Sequence, residues 1–288
     1  MKSGIEDADV PEYVRDGPLI RAALISRPNR FLAVARLDGG FDQGAADEMG
    51  PHVVEAHIAD PGRLEELLVP NARVYLSRAR AGKGRVARKT VYDLVLVERD
   101  GVLVSVDSRV PNELVYRALQ SGFFEELRGY TQITRESVYG SSRLDFRLSA
   151  ASAAALAEPP GAGPLPDCFV EVKSATLVQG GMALFPDAPT SRGARHMREL
   201  AMAISQGFRA IVIFVVQRVD AVSFAPNVGM DPAFARALRD GVTAGVEIIA
   251  VRCDIARSGA IVLDQRIPVI VGDPVVADAE RLWCEDIV

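Results

Sequence analysis

Two sequence grammars meet near residue 100, and their order constrains the fold more than any other feature. Before it, short runs rich in β-branched residues follow one another at 19–25, 31–37, 53–57, 74–76 and 91–97, divided by Gly, Pro and Asn. One helix-like piece, 63–68, interrupts them between Pro61-Gly62 and Pro70-Asn71. Five strands and one short helix are compatible with a small OB-like β-barrel, a fold that often binds oligonucleotides. After it, a strand (102–106) leads through Pro111-Asn112 into a helix (111–119), and a short helix is expected at 123–127. Paired strands at 133–137 and 144–148 follow. Strands at 168–173, 210–216, 246–251 and 261–271 then alternate with helices at 190–206 and 232–242. Alternation of this kind predicts an α/β sheet with helices on its faces, giving α+β overall. The expected divisions are 1–17 and 273–288 as acidic ends, 18–100 as the barrel and 101–272 as the α/β domain, with an Ala-, Pro- and Gly-rich excursion at 150–166.

The net charge is −5, from 33 Lys plus Arg against 38 Asp plus Glu, which at face value argues against a nucleic-acid partner. Its distribution reverses that reading. Residues 1–17 and 273–288 are strongly acidic, and the Gly-rich stretch 38–50 carries Asp38, Asp42, Asp47 and Glu48 with no base. Without these three segments the body is basic. Arg78, Arg80, Lys83, Arg85, Arg88 and Lys89 crowd into one stretch without an acid, and Gly82-Lys83-Gly84 suits a hairpin tip. This is either a solvated basic hairpin or a finger that tracks phosphates, since neutralised phosphates release counterions and supply affinity.

No apolar run approaches the roughly 18 residues that a membrane span needs. Met1 to Asp16 is acidic and polar, unlike a secretory signal or a transit peptide. The three cysteines, Cys168, Cys253 and Cys284, are far apart, which predicts reduced thiols in a cytoplasmic protein rather than disulfides or a zinc site.

The sharpest chemistry lies in Asp145 and in Glu171-Val172-Lys173. Alternate side chains of a strand share a face, so Val170 and Val172 can enter the core while Glu171 and Lys173 project together. Leu144, Phe146 and Leu148 likewise leave Asp145 on the opposite face. If the two strands are neighbours, an Asp, a Glu and a Lys converge. Two carboxylates suit Mg²⁺ or Mn²⁺ and leave room for water and a phosphate oxygen. A lysine beside them can hold the attacking water and stabilise charge on phosphorus. Glu-x-Lys alone is a weak signal, which the upstream Asp145 and the downstream segments strengthen.

Three segments, 139–146, Pro166-Asp167-Cys168-Phe169-Val170-Glu171-Val172-Lys173-Ser174 and 185–200, closely resemble the sugar fermentation stimulation protein A family. The resemblance spans roughly 18–272 and includes Gly62-Arg63-Leu64 and Leu67-Leu68-Val69-Pro70. It implies an N-terminal OB-like domain, a PD-(D/E)xK restriction-endonuclease-like domain, and DNA, single-stranded or duplex, as partner. It assigns Asp145, Glu171 and Lys173 to the nuclease pattern, with the two acids as metal ligands. The third acid of that pattern, carried on a helix, falls to Glu113 or is absent. Arg192 and His196, one helical turn apart, are expected to contact phosphate at the edge of the site. Where the family commonly reads Asn-Thr-Gly, this chain has Asp60-Pro61-Gly62, and an Asp there repels phosphate. Two functions remain open: a metal-dependent nuclease, and a non-catalytic DNA-binding regulator of sugar metabolism genes. RNA is a weaker third choice of ligand.

Overall fold

The computed structural model describes residues 10–38, 53–79, 89–150 and 165–272. A two-residue strand β1 (Glu12–Tyr13) precedes a barrel built from β2 (Ile20–Asn29), β3 (Leu32–Leu37), β4 (Val53–Ile58), β5 (Arg73–Arg78) and β6 (Tyr92–Arg99). The order β4-β3-β2-β5-β6 closes on itself through a parallel β4–β6 contact from Ala56↔Tyr92 to Ile58↔Leu94. Alternation explains the interior: Ile20, Ala22 and Leu24 of β2 point inward, as do Ala33 and Ala35 of β3. So many inward alanines suit the narrow bore of a five-stranded ring.

The expected helix at 63–68 is instead a turn, in which the Leu67 and Leu68 N–H groups both reach the Leu64 carbonyl, at 3.2 and 2.8 Å. Six residues between two prolines cannot repay helix nucleation. They do better by sending Leu64 and Leu67, both fully buried, into the end of the barrel.

β7 (Val102–Ser105) hydrogen-bonds to β6 outside the ring, so the barrel's sheet continues past residue 100. The chain then enters α1 (Val110–Ser121), a 3₁₀ turn (Glu125–Leu127), β8 (Gln132–Tyr139), β9 (Ser142–Ser149) and β10 (Cys168–Ala175). β11 (Leu177–Gln179), β12 (Met182–Phe185), α2 (Ser191–Ser205) and β13 (Arg209–Val216) follow. β14 (Ser223–Pro226), α3 (Pro232–Ala244), β15 (Glu247–Ile255) and β16 (Ile261–Arg266) complete the described residues.

The main sheet has the order β1-β16-β15-β13-β10-β9-β8, with β10, β13 and β15 parallel at its centre. β13 is buried on both faces, as a central parallel strand should be. Its Ile211, Ile213 and Val215 pack with Val110, Leu114, Val115 and Ala118 of α1. Its Val212, Phe214 and Val216 pack with Met197 and Leu200 of α2 and Phe234 and Leu238 of α3. Tyr75, Val95 and Leu96 of the barrel join the α1-side core, so the two domains share buried apolar surface.

The segment 1–17, expected to be an acidic tail, is built into the fold from Glu12 onward. β1 pairs with β16, the Arg117 guanidinium donates to the Glu12 carbonyl at 2.5 Å, and Arg15 pairs with Asp107 at 2.9 Å. A small second sheet, β11-β12-β14, was not expected from the sequence. The acidic stretch from 39 to 52, most of the 150–166 excursion and the C-terminal acidic end lie outside the described residues.

Candidate active site

β9 and β10 are paired from Cys168↔Leu148 to Val170↔Phe146. Beyond that, Oδ2 of Asp145 accepts the backbone N–H of Val172 at 2.8 Å. A side chain thus takes a main-chain donor that a strand partner would otherwise satisfy, and it anchors Asp145 beside the Glu-x-Lys segment. Oδ1 of Asp145 accepts from the amide of Asn112, on the first turn of α1, at 2.8 Å. Burial pushes the Asp145 carboxyl up to about 6, aided by the charge of Glu171 and opposed by the donors of Val172 and Asn112.

Glu171 is only 3% exposed. Its Oε1 is held twice, by the Lys173 ammonium at 2.5 Å and by Nδ1 of His196 at 2.5 Å. Its Oε2 is buried and has no hydrogen-bond partner among the described residues. Burial alone would raise its pKa, but the charge of Lys173 and the hydrogen bond from His196 outweigh it, leaving the carboxyl below its ordinary value. The sequence-predicted Asp145, Glu171 and Lys173 are therefore brought together.

His196 arrives from α2, whose start is fixed by Thr190: its hydroxyl accepts the Gly193 N–H at 3.0 Å, while its own N–H is held by Asp231 at 2.7 Å. At 1% exposure His196 is buried against Glu171, and Arg192 is the exposed member of the pair expected at the edge of the site. Arg192, one turn earlier and exposed, donates from Nε to Nε2 of His196 at 3.3 Å.

Glu113 is engaged elsewhere. It pairs with Arg117 at 3.1 Å and with Arg135 at 3.2 Å, while its neighbour Asn112 faces Asp145. The sequence reading missed Asn112, and it missed the lone oxygen that Glu171 presents. Among the described residues no group of three His, Cys, Asp or Glu side chains is placed to share a metal ion. The carboxylates brought together here are two, Asp145 and Glu171.

Arg78 and Lys89 are exposed at the base of the connection between the antiparallel strands β5 and β6, where the Ala79 N–H reaches the Val91 carbonyl at 2.8 Å. Arg80, Lys83, Arg85 and Arg88 lie outside the described residues. Cys168 and Cys253 are buried free thiols, and Cys284 falls outside the description. Among the described residues no helix is long and apolar enough to cross a membrane.

Comparison with known proteins covers both domains. A family model for the SfsA N-terminal OB domain matches residues 25–106, and one for the sugar fermentation stimulation protein RE domain matches 109–259. A sugar fermentation stimulation protein homolog from Moorella thermoacetica is 49% identical over 82% of this chain and 90% of that protein. The homolog from Chloroflexus aurantiacus is 42% identical over 88% of this chain and 86% of its own length. The solved structure of Pyrococcus furiosus SfsA in complex with Ca²⁺ matches with a TM-score of 0.73 and 29% identity, covering 88% of this chain and 96% of that one.

Proposed function

The chain belongs to the sugar fermentation stimulation protein family, and from that premise we propose that it hydrolyses phosphodiester bonds of DNA with the help of Mg²⁺ or Mn²⁺. The observation that carries the reading is the convergence of Asp145, Glu171 and Lys173, together with a buried carboxylate oxygen, Oε2 of Glu171, that meets no hydrogen-bond donor among the described residues. A buried, unpaired anionic oxygen is costly unless a cation or donor meets it. A divalent cation fits this need, and Asp145 and Glu171 are the residues that would hold it. The Ca²⁺ in the Pyrococcus furiosus structure supports a divalent ion of this kind. When bound, such an ion supplies Lewis acidity and lowers the pKa of a coordinated water.

The chain's own groups have the remaining roles. Lys173 keeps positive charge beside the carboxylates, where it can orient water and stabilise negative charge gathering on the phosphate. Asn112 and the Val172 N–H fix Asp145. The barrel, with Arg78, Lys89 and the bases between them, supplies sequence-independent phosphate contacts, and Arg192 adds one near the site.

The test is incubation of single-stranded, duplex and branched DNA, and RNA of matched length, with Mg²⁺ or Mn²⁺. Product is expected from the unaltered chain and not from Lys173→Ala. No product above the Lys173→Ala control, with salt-sensitive binding retained, would replace this reading with that of a non-catalytic DNA-binding protein.

A further inference from the structure

We infer that His196 is a positioning residue for Glu171: it holds Oε1 so that Oε2 stays turned to the cation and Lys173 can leave for the substrate. The inference rests on the reading of the site proposed above.

Hydrogen-bond direction bears on which ring nitrogen faces Glu171 as a donor. A guanidinium has donors and no acceptor, so the bond from Arg192 Nε to His196 Nε2, at 3.3 Å, requires a lone pair on Nε2. Nδ1 then carries the proton and donates it to Oε1 of Glu171 at 2.5 Å. The Arg192 contact therefore selects the tautomer that Glu171 needs, as outer partners of metal-binding carboxylates and histidines commonly do.

Two donors on one carboxylate oxygen leave the other oxygen singled out. Lys173 and His196 both take Oε1, and the oxygen without a partner among the described residues is Oε2. The two donors differ in how firmly they stay. Lys173 is a charge on a flexible four-carbon stem, and its proposed work on water or phosphate draws it away from Glu171. His196 is a buried group on a helix whose first turn is capped by Thr190 and packed against α3, where a Cβ on Gly193 would come within 3.2 Å of Phe234. If Lys173 moved and nothing else held Oε1, the buried carboxylate would be uncompensated and free to rotate. His196 prevents both.

The experiment measures Ca²⁺ binding to the full chain by titration calorimetry, with thermal unfolding of each metal-free variant as a check on folding. Outer partners of this kind are typically worth about 10- to 100-fold in metal affinity, so His196→Ala is expected to weaken Ca²⁺ by about that factor. An Asn amide places a donor where Nδ1 sits, whereas a Gln amide reaches the position of Nε2. His196→Asn is therefore expected to recover most of the affinity and His196→Gln little of it. A purely structural role would not separate the Asn and Gln variants. Unchanged affinity in His196→Ala, or equal recovery by Gln and Asn, would overturn the inference. Absence of Ca²⁺ binding in the unaltered chain would overturn the metal reading of the site itself, and this inference with it.

Discussion

The Cβ that Gly62 lacks would lie 2.4 Å from Oδ2 of Asp187, the oxygen that accepts the Leu64 N–H at 3.2 Å. The turn that plugs the barrel is thus pressed against a carboxylate of the second domain, and only a residue without a side chain permits the approach. Arg27 clamps the same turn by donating to the carbonyls of Gly62, at 2.9 Å, and of Arg63. Gly62→Ala is expected to cost about 1–3 kcal/mol, the usual penalty of overpacking. Much of that loss should vanish in an Asp187→Ala background, giving an interaction energy of about 1 kcal/mol or more. Urea unfolding of the two single variants and the double variant measures it. Simple additivity would show that the strain lies elsewhere.

Asp60 in the same turn carries a pH-dependent cost. Burial pushes its carboxyl up to about 6 from an ordinary 3.8, with Asp187 adding to the shift and the Gly62 N–H, at 2.7 Å, opposing it. A raised acid binds its proton more tightly in the folded chain, so stability falls as pH climbs from 3.8 through about 6, and the penalty is complete above that. Asp60→Asn keeps an oxygen for the Gly62 N–H and removes the charge. It is expected to stabilise the chain by about 1–3 kcal/mol at neutral pH and to gain little near about pH 4. Equal gains at both pH values, or a loss at neutral pH, would contradict this.

How much of this was legible in advance depended on whether the information was local. The alternation of Val170 and Val172 with Glu171 and Lys173 is a property of neighbouring residues, and it set Glu171 and Lys173 side by side. For Asp145 the expected alternation breaks: Phe146 and Leu148 pack on the α1 side and Leu144 on the α2 side, and Asp145 reaches the Glu-x-Lys segment through the Val172 N–H. The five barrel strands were legible from local pattern as well, although the closure of the barrel rests on the parallel contact Ala56↔Tyr92 to Ile58↔Leu94. The strands β11, β12 and β14 were not, because two of them depend on a parallel contact between residues some forty positions apart, Met182↔Ser223 through Phe185↔Pro226. Helix phase was the other failure. Asn112 and Glu113 flank opposite sides of the apolar stripe formed by Val110, Leu114, Val115 and Ala118, and nothing local says which flank faces β9. Chemistry favoured the carboxylate, whereas packing turned the amide toward Asp145. His196 shows a related limit: its place on a helix face was readable, but its burial behind Glu171 depends on β10.

Arg15 makes the N-terminal segment more than a charged end. Its side chain is 5% exposed and pairs at 2.9 Å with Asp107, which is 2% exposed and sits where the barrel passes into the second domain. Asp107 also holds Arg109 at 2.7 Å. Burial would raise the Asp107 carboxyl, but Arg109 and Arg15 together hold it below its ordinary value. Arg15→Ala leaves Asp107 one partner, so a loss on the order of 2 kcal/mol is expected rather than the full cost of an unpaired buried charge. The loss should shrink as pH falls through the acidic range, because a depressed acid gives up its stabilising charge on protonation. Removal of residues 1–17 would also delete β1, so a change in DNA affinity on truncation is interpretable only beside this stability measurement. A variant as stable as the parent would show that Arg109 suffices.

Asn112 and Glu113 can be separated by function. The Asn112 amide donates to Asp145 at 2.8 Å, and its removal leaves Oδ1 of a largely buried carboxylate without that donor. Asn112→Ala is expected to weaken Ca²⁺ binding by about 10-fold or more, in the range typical of a lost outer partner. DNA cleavage should fall in parallel. Glu113 sits in two ion pairs whose partners are substantially exposed, Arg117 and Arg135. Pairs of that kind contribute about 0–1 kcal/mol. Glu113→Gln should therefore cost a little stability while leaving metal affinity and cleavage within about 3-fold of the parent, below the range of an outer partner. The opposite ranking, a silent Asn112→Ala and a Glu113→Gln that no longer binds Ca²⁺, would restore Glu113 as the helix acid and require α1 to turn when the ion arrives.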